Sequence, residues 1–128
     1  MDDNKFKNQS WGATFKHAHE GCVYAFRTQR NFKVHILLAL IAMFLAIVLQ
    51  LSLARFTLLV IGIVFGLSIE MINTAVEKTV DLVTDQYHPT AKIAKDVSAG
   101  AMLVASIGLL VLGALLFIPP LWQIISTI

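Results

Sequence analysis

Residues 97–118 read VSAGAMLVASIGLLVLGALLFI, an apolar run of 22 residues that carries no charge. Because an α-helix rises about 1.5 Å per residue, the run is about 33 Å long and matches a hydrocarbon core of about 30 Å. Backbone N–H and C=O groups in lipid must be bonded inside their own segment, which favours a helix. The run therefore predicts a transmembrane helix over about 97–118, and Pro119 and Pro120 predict its end.

Two further apolar runs precede this one. Residues 34–53 are interrupted only by His35, Gln50 and Ser52, and residues 56–72 contain a single charge, Glu70. With 57% hydrophobic and 14% charged residues, a chain of 128 residues is too apolar for the polar surface that a small soluble domain needs. The predicted fold class is one all-α integral membrane domain over residues 1–128, with transmembrane helices over about 34–53, 56–76 and 97–118.

The basic residues indicate how these helices cross the membrane. Six of the ten Lys and Arg residues precede the first run, one lies between the first two, three lie between the second and third, and none follows the third. Because cytoplasmic flanks are enriched in Lys and Arg, we expect a cytoplasmic N-terminus and an outside C-terminus. No apolar core of a cleavable signal precedes residue 34, so the first hydrophobic helix is expected to direct membrane insertion.

The N-terminal segment has an apolar stripe of helical period, formed by Trp11, Phe15, Ala18, Cys22 and Phe26. This pattern predicts an amphipathic helix over about 8–30. The helix would lie in the membrane interface with its basic side toward the headgroups, or pack on the cytoplasmic end of the protein itself. With one cysteine in the chain, an intrachain disulfide is excluded.

A polar stripe interrupts the end of the second apolar run. Glu70, Asn73, Thr74, Glu77 and Asp81 share one helix face, because they lie 3, 4, 7 and 11 residues from the first of them. An ionisable group costs about 2.5–3.5 kcal/mol at mid-bilayer and less near the interface. The stripe is therefore predicted to line an internal cavity at the cytoplasmic boundary.

Further polar residues follow the stripe, namely Asp85, Tyr87, His88, Lys95 and Asp96. Carboxylate and amide oxygens are ligands for Mg²⁺, a lysine can hold a phosphoryl group, and a carboxylate near the hydrocarbon can take a proton from a lipid hydroxyl. Plainer interpretations stay open: Asp85 as a solvated helix end, Thr74 as a packing hydroxyl, and Lys95 with Asp96 as a helix flank. The histidines at 17, 19 and 35 lack metal-ligand spacing, and the chain has no Gly-rich phosphate loop.

These motifs resemble those of the prokaryotic diacylglycerol kinase family. The stretch EMINTAVEKTVD at 70–81 is similar to that family's signature, YHP at 87–89 and AKD at 94–96 resemble its nucleotide segment, and Gly21 with RTQRNF at 27–32 resembles its N-terminal motif. The run KDVSAGA at 95–101 is closer to the Gram-positive branch, whose members resemble undecaprenol kinases.

The resemblance implies a homotrimer of three-helix protomers with a surface helix, in the bacterial cytoplasmic membrane, with MgATP bound between subunits. Glu70 would be the catalytic base and a contact of the lipid alcohol, Glu77 a metal ligand, and Ala99 part of the lipid pocket. Gln29 stands where the family usually has a glutamate that helps hold Mg²⁺. The nucleotide would be surrounded by Gln29, Asn73, Glu77, Asp81, Tyr87, His88, Lys95 and Asp96.

Three alternatives to an undecaprenol kinase remain at this point. A diacylglycerol kinase would use the same chemistry on another lipid. A small proton- or cation-coupled transporter would use an intramembrane carboxylate, but no charge lines the outer half of any predicted helix. A non-catalytic assembly protein would explain the helices but not the acidic stripe. None of these interpretations involves nucleic acid.

Overall fold

The computed structural model describes residues 10–126, which form four helices. They are α1 (Trp11–Thr28), α2 (Arg30–Val48), α3 (Leu53–Val83) and α4 (Pro89–Ile125). By length and composition α2, α3 and α4 can each cross a membrane. The prediction of an all-α chain with three helices able to cross a membrane is therefore confirmed.

The first membrane helix is shorter than the apolar run that predicted it. Helix α2 ends at Val48 rather than at residue 53, and the chain then turns through Gln50, whose φ of 50° lies in the left-handed region. The turn is closed by two backbone bonds, from the Gln50 N–H to the Ile47 carbonyl at 3.0 Å and from the Leu51 N–H to the Ala46 carbonyl at 3.0 Å. These bonds give the last carbonyl groups of α2 their partners, so the helix can end here. The apolar residues that follow belong to the turn.

The second and third membrane helices extend beyond their predicted cytoplasmic ends. Helix α3 continues to Val83, and α4 begins at Pro89, well before residue 97. The start of α4 is fixed by His88, whose ring Nδ1 accepts a bond from the Thr90 backbone N–H at 3.2 Å. A proline at the first helical position has no N–H to leave unpaired, and this favours a helix start at Pro89.

The predicted stop at Pro119 and Pro120 is wrong, because α4 continues through both prolines to Ile125. Each proline lacks an N–H and so removes one bond to the carbonyl four residues earlier. Membrane helices tolerate proline because neighbouring groups and small local adjustments satisfy the carbonyls that it frees.

Helices α3 and α4 make the most extensive contact among the four described helices. A Cβ atom placed on Gly62 would lie 2.8 Å from Leu112 Cδ2, and one on Gly66 would lie 2.7 Å from Leu109 Cδ1. Two glycines four residues apart let membrane helices approach closely. This contact fixes the register of α3 against α4 and thereby positions the polar residues at the ends of these helices that flank the α3–α4 loop.

Outside this pair, the single chain buries little. A small core of Ala46, Leu59 and Leu116 joins α2, α3 and α4, while most large apolar residues stay exposed. The N-terminal stripe is also exposed, with Trp11 at 83%, Phe15 at 73% and Phe26 at 49%, and Ala25 is the buried residue of α1. The stripe is therefore largely exposed within its own chain.

Candidate active site

The polar stripe of α3 changes from buried to exposed toward the α3–α4 loop. Glu70 is 1% exposed and Thr74 is 6% exposed, Asn73 and Glu77 are half-buried, and Asp81 is exposed. The helix keeps all five on one face, as their spacing predicted. The stripe thus connects a carboxyl group inside the apolar part of the molecule with the polar loop region.

Glu70 is the largest fully buried side chain in the described part of the chain. Its Oε2 atom has no hydrogen-bond partner among residues 10–126. The nearby Thr74 hydroxyl donates to the Glu70 backbone carbonyl at 2.9 Å, so it acts within the helix and not on the carboxyl group. His35 of α2 lies close enough to Glu70 for the two side chains to interact electrostatically. A buried carboxyl oxygen without a partner is suited to bind an incoming hydroxyl group.

Three side chains of α3 and α4 form a hydrogen-bonded chain one turn further along. The Ser98 hydroxyl donates to Asn73 Oδ1 at 2.7 Å, and Asn73 Nδ2 donates to Glu77 Oε1 at 3.0 Å. The carboxylate only accepts, so the amide nitrogen faces Glu77 and the amide oxygen faces the serine. Glu77 keeps its second oxygen outside these two bonds.

An ion pair joins the same two helices nearer the loop. Lys95 Nζ lies 2.6 Å from Asp81 Oδ1, and Lys78 approaches the other oxygen of Asp81 at 3.5 Å. A further pair joins Lys92 and Asp96 on α4. Because these side chains are about half exposed and screened by solvent, each pair contributes little to stability. Their main effect is to hold the Lys95 ammonium group at a defined place between the helices.

A cavity of about 540 Å³ opens beside this ion pair. It lies at the junction of α3, the loop and α4. Its lining includes six residues that the sequence singled out: Asp81, Asp85, Tyr87, His88, Lys95 and Asp96. The structure therefore places together, around one polar space, residues that are up to 15 positions apart in the chain.

Two predicted residues lie apart from this arrangement within the described chain. Gln29 ends α1 and precedes α2, its backbone N–H bonds to the Ala25 carbonyl, and its side chain makes no capping bond. No hydrogen bond joins it to Glu77 among residues 10–126. Ala99 lies exposed on α4, directly after Ser98.

The donor atoms fit a magnesium ion that arrives with a nucleotide. Residues 10–126 contain no group of three or more Asp, Glu, His or Cys side chains that could hold a metal ion alone. Mg²⁺ usually takes one or two carboxylates from the protein and completes its shell with phosphate oxygens and water. Glu77 offers such a carboxylate through the oxygen that does not accept the Asn73 bond.

Comparison with known proteins identifies the family of the chain. The family model of the prokaryotic diacylglycerol kinases matches residues 16–117. The chain therefore belongs to the prokaryotic diacylglycerol kinase family, a class of membrane lipid kinases. It is 37% identical to the undecaprenol kinase of Bacillus subtilis over 123 residues, which covers 94% of this chain and all of that protein.

Two diacylglycerol kinases are also related to the chain. The one from Synechocystis is 40% identical over 109 residues, covering 84% of this chain and 62% of that protein. The one from Helicobacter pylori strain J99 is 33% identical over 88 residues, covering 69% of each protein. The activity of the chain is accordingly that of a lipid kinase.

Sequence reasoning missed two polar residues near the stripe. Ser98 lies in the apolar run and in the stretch KDVSAGA at 95–101 without a predicted role of its own, and His35 interrupts the first apolar run without metal-ligand spacing. Ser98 follows Lys95 by three residues and so lies on the next turn of α4. That spacing was a usable signal for a polar face on α4, whereas the approach of His35 to Glu70 depends on how α2 packs.

Proposed function

We propose that this chain is an undecaprenol kinase that transfers the γ-phosphoryl group of MgATP to the hydroxyl of the lipid at the cytoplasmic side of the membrane. The observation that carries the proposal is the buried Glu70 carboxyl group with an open oxygen, on the helix face that leads to the Lys95 cavity. Undecaprenol is favoured over diacylglycerol because the alignment with this chain covers the whole of the Bacillus subtilis undecaprenol kinase. The alignments with the two diacylglycerol kinases cover only part of those proteins.

The nucleotide would bind in the cavity between α3, the loop and α4. Its volume of about 540 Å³ lies within the usual range of about 300–1,000 Å³ for small-molecule sites. Tyr87 and His88 supply an aromatic ring and an imidazole to its wall, and Lys95 supplies a positive charge. The phosphates would lie toward Lys95, because its ammonium group is held in place by Asp81 of α3. The base would then lie toward the loop.

Magnesium would be held by Glu77, with Gln29 contributing its amide oxygen. When bound with ATP, the ion neutralises charge on the transferring phosphoryl group. Gln29 can offer a carbonyl oxygen, but it lacks the charge of the glutamate usual in the family. This substitution should weaken the attraction for a divalent ion.

Glu70 would accept the proton of the lipid hydroxyl as the hydroxyl oxygen attacks the γ-phosphorus. The bond between that phosphorus and the oxygen bridging to the β-phosphate breaks, so that ADP leaves and a lipid phosphate forms. Lys95 would hold the phosphate oxygens during the transfer. It would thereby position the phosphoryl group and stabilise its negative charge. The burial of Glu70 keeps bulk water from competing with the lipid.

The protein would act as a homotrimer with its N-terminus in the cytoplasm. Extensive exposed apolar surface on α2, α3 and α4 supports contact with lipid and with other copies of the chain. The basic residues that precede α2 support the orientation. A site completed by a neighbouring protomer would also allow Gln29 to approach Glu77, since the two make no contact within the described single chain.

The substrate is tested by offering undecaprenol and diacylglycerol separately, in mixed micelles with radiolabelled ATP and Mg²⁺. We expect preferential labelling of undecaprenol. Preferential labelling of diacylglycerol would overturn the choice of lipid and keep the reaction. Proton-coupled uptake into proteoliposomes without ATP would instead support the transporter alternative.

A further inference from the structure

The Ser98 hydroxyl makes an unusual bond for a hydroxyl on a helix. Five threonines of the described helices donate to the carbonyl four residues earlier, namely Thr14, Thr28, Thr57, Thr74 and Thr79. This local bond is the common choice of a helical Ser or Thr. Ser98 instead donates across the interface to Asn73 Oδ1 at 2.7 Å, which is the shorter of the two bonds made by that amide.

The cross-helix bond determines how the Asn73 amide group is turned. A free asparagine amide can rotate and present either its oxygen or its nitrogen to a neighbour. With its oxygen bonded to Ser98, Asn73 directs its nitrogen to Glu77 Oε1 at 3.0 Å. The carboxylate is thereby held in one orientation, with its other oxygen left outside the network. Both Ser98 and Asn73 are half-buried, so water competes only partly for these bonds.

We propose that Ser98 is a positioning residue for the kinase reaction: through Asn73 it holds the Glu77 carboxylate in the orientation that receives the metal of the metal–nucleotide complex. The inference rests on the proposed function, since it assigns the Glu77 site to that metal. Residues that orient a metal ligand without touching the metal commonly change metal affinity by roughly 10–100-fold when they are lost. Ser98 acts from a different helix than its targets, so the α3–α4 register determines whether the ligand is oriented.

The test measures metal binding separately from catalysis. Mn²⁺ replaces Mg²⁺ and is titrated by electron paramagnetic resonance against the purified protein with a non-hydrolysable β,γ-methylene analogue of ATP. Ser98→Ala should weaken Mn²⁺ binding to the protein–nucleotide complex by roughly tenfold. Ser98→Thr keeps the hydroxyl and should restore most of the affinity. Turnover of Ser98→Ala with lipid should recover when Mg²⁺ is raised, because the ligand itself is still present.

The matched control is Ser106→Ala, which removes a hydroxyl from a half-buried position of the same helix two turns further on. It should leave Mn²⁺ affinity within about twofold of the unsubstituted protein, since it has no bond to Asn73 or Glu77. Equal metal affinity of Ser98→Ala and the unsubstituted protein would overturn the inference alone. An equal loss in both alanine variants would also overturn it, because any lost serine would then have the same effect. If the unsubstituted protein bound neither Mn²⁺ nor nucleotide and phosphorylated no lipid, both the proposed function and the role of Ser98 would be wrong.

Discussion

Lys95 of α4 lies 2.6 Å from the Asp81 carboxylate of α3, while Lys78 of α3 approaches the other oxygen of the same carboxylate at 3.5 Å. Of these two lysines, Lys95 lines the cavity beside the pair and Lys78 does not. Two lysines thus share one acidic partner and differ in whether they face the proposed nucleotide. The Lys95 contact is the stronger of the two, because it is shorter. It is also the contact that joins α3 to α4.

Replacing Lys95 should weaken nucleotide binding, and replacing Lys78 should not. Lys95→Ala removes a positive charge from the cavity wall and should raise the KM for ATP by about tenfold or more. Lys78→Ala removes an equal charge outside the cavity and should change KM by less than about twofold. Steady-state lipid phosphorylation over a range of ATP concentrations measures both. Equal effects of the two changes would indicate that the general field of the protein, and not the cavity, attracts the nucleotide.

Restoring a carboxylate at position 29 should strengthen metal use. Gln29→Glu adds a negative charge near the proposed magnesium ligands and should lower the Mg²⁺ concentration for half-maximal activity several-fold. The measurement is activity against Mg²⁺ concentration at a fixed excess of ATP. Gln123→Glu, near the opposite end of α4, makes the same chemical change away from the site and serves as the control. An unchanged Mg²⁺ requirement in Gln29→Glu would remove Gln29 from the metal site.

The close contact of α3 and α4 should make Gly66 intolerant of a side chain. A Cβ there would lie 2.7 Å from Leu109 Cδ1, so Gly66→Ala should cost about 1 kcal/mol as the leucine is displaced. A Cβ on Gly108 would meet nothing within 4 Å, and Gly108→Ala should stabilise the helix by about 0.5–1 kcal/mol. Thermal unfolding in detergent compares the two. If both variants gain stability alike, the glycine does not mediate the contact.

The turn between α2 and α3 should gain stability from glycine. Gln50 has a φ of 50°, and a left-handed conformation costs a residue with a side chain about 1–2 kcal/mol. Part of that gain is offset by the greater freedom of glycine in the unfolded chain, so Gln50→Gly should stabilise by about 0.5–1 kcal/mol. Gln50→Ala removes the side chain beyond the Cβ but keeps the Cβ itself, so it should not stabilise the protein. A higher unfolding temperature for alanine than for glycine would show that the backbone conformation is not the cause.

The sequence predicted the helices and the face of α3 for a simple physical reason. Apolar length identifies a membrane helix, and a period of 3.6 residues places Glu70, Asn73 and Glu77 on one side of it. Neither signal reports where a helix ends. Helix α2 stops at Val48, where backbone bonds close a turn inside the apolar run. Helix α4 continues past Pro119, because a membrane helix can contain proline when the freed carbonyls find other partners.

Contacts between helices were beyond sequence reasoning. The bond of Ser98 to Asn73 depends on the register of α3 against α4, which is set by leucines over Gly62 and Gly66 in the middle of the pair. The approach of His35 to Glu70 depends in the same way on α2. A periodicity assigns a face to a single helix, but the partner of that face follows only from packing.

The central claim, that Glu70 is the base of a lipid kinase, is tested most directly by Glu70→Gln. The variant keeps the shape and volume of the side chain but cannot accept the proton of the lipid hydroxyl. Radiolabelled phosphoryl transfer from MgATP to undecaprenol should fall by about 100-fold or more, while binding of the methylene analogue of ATP stays unchanged. Transfer at the unsubstituted rate, with the nucleotide bound normally, would contradict the account.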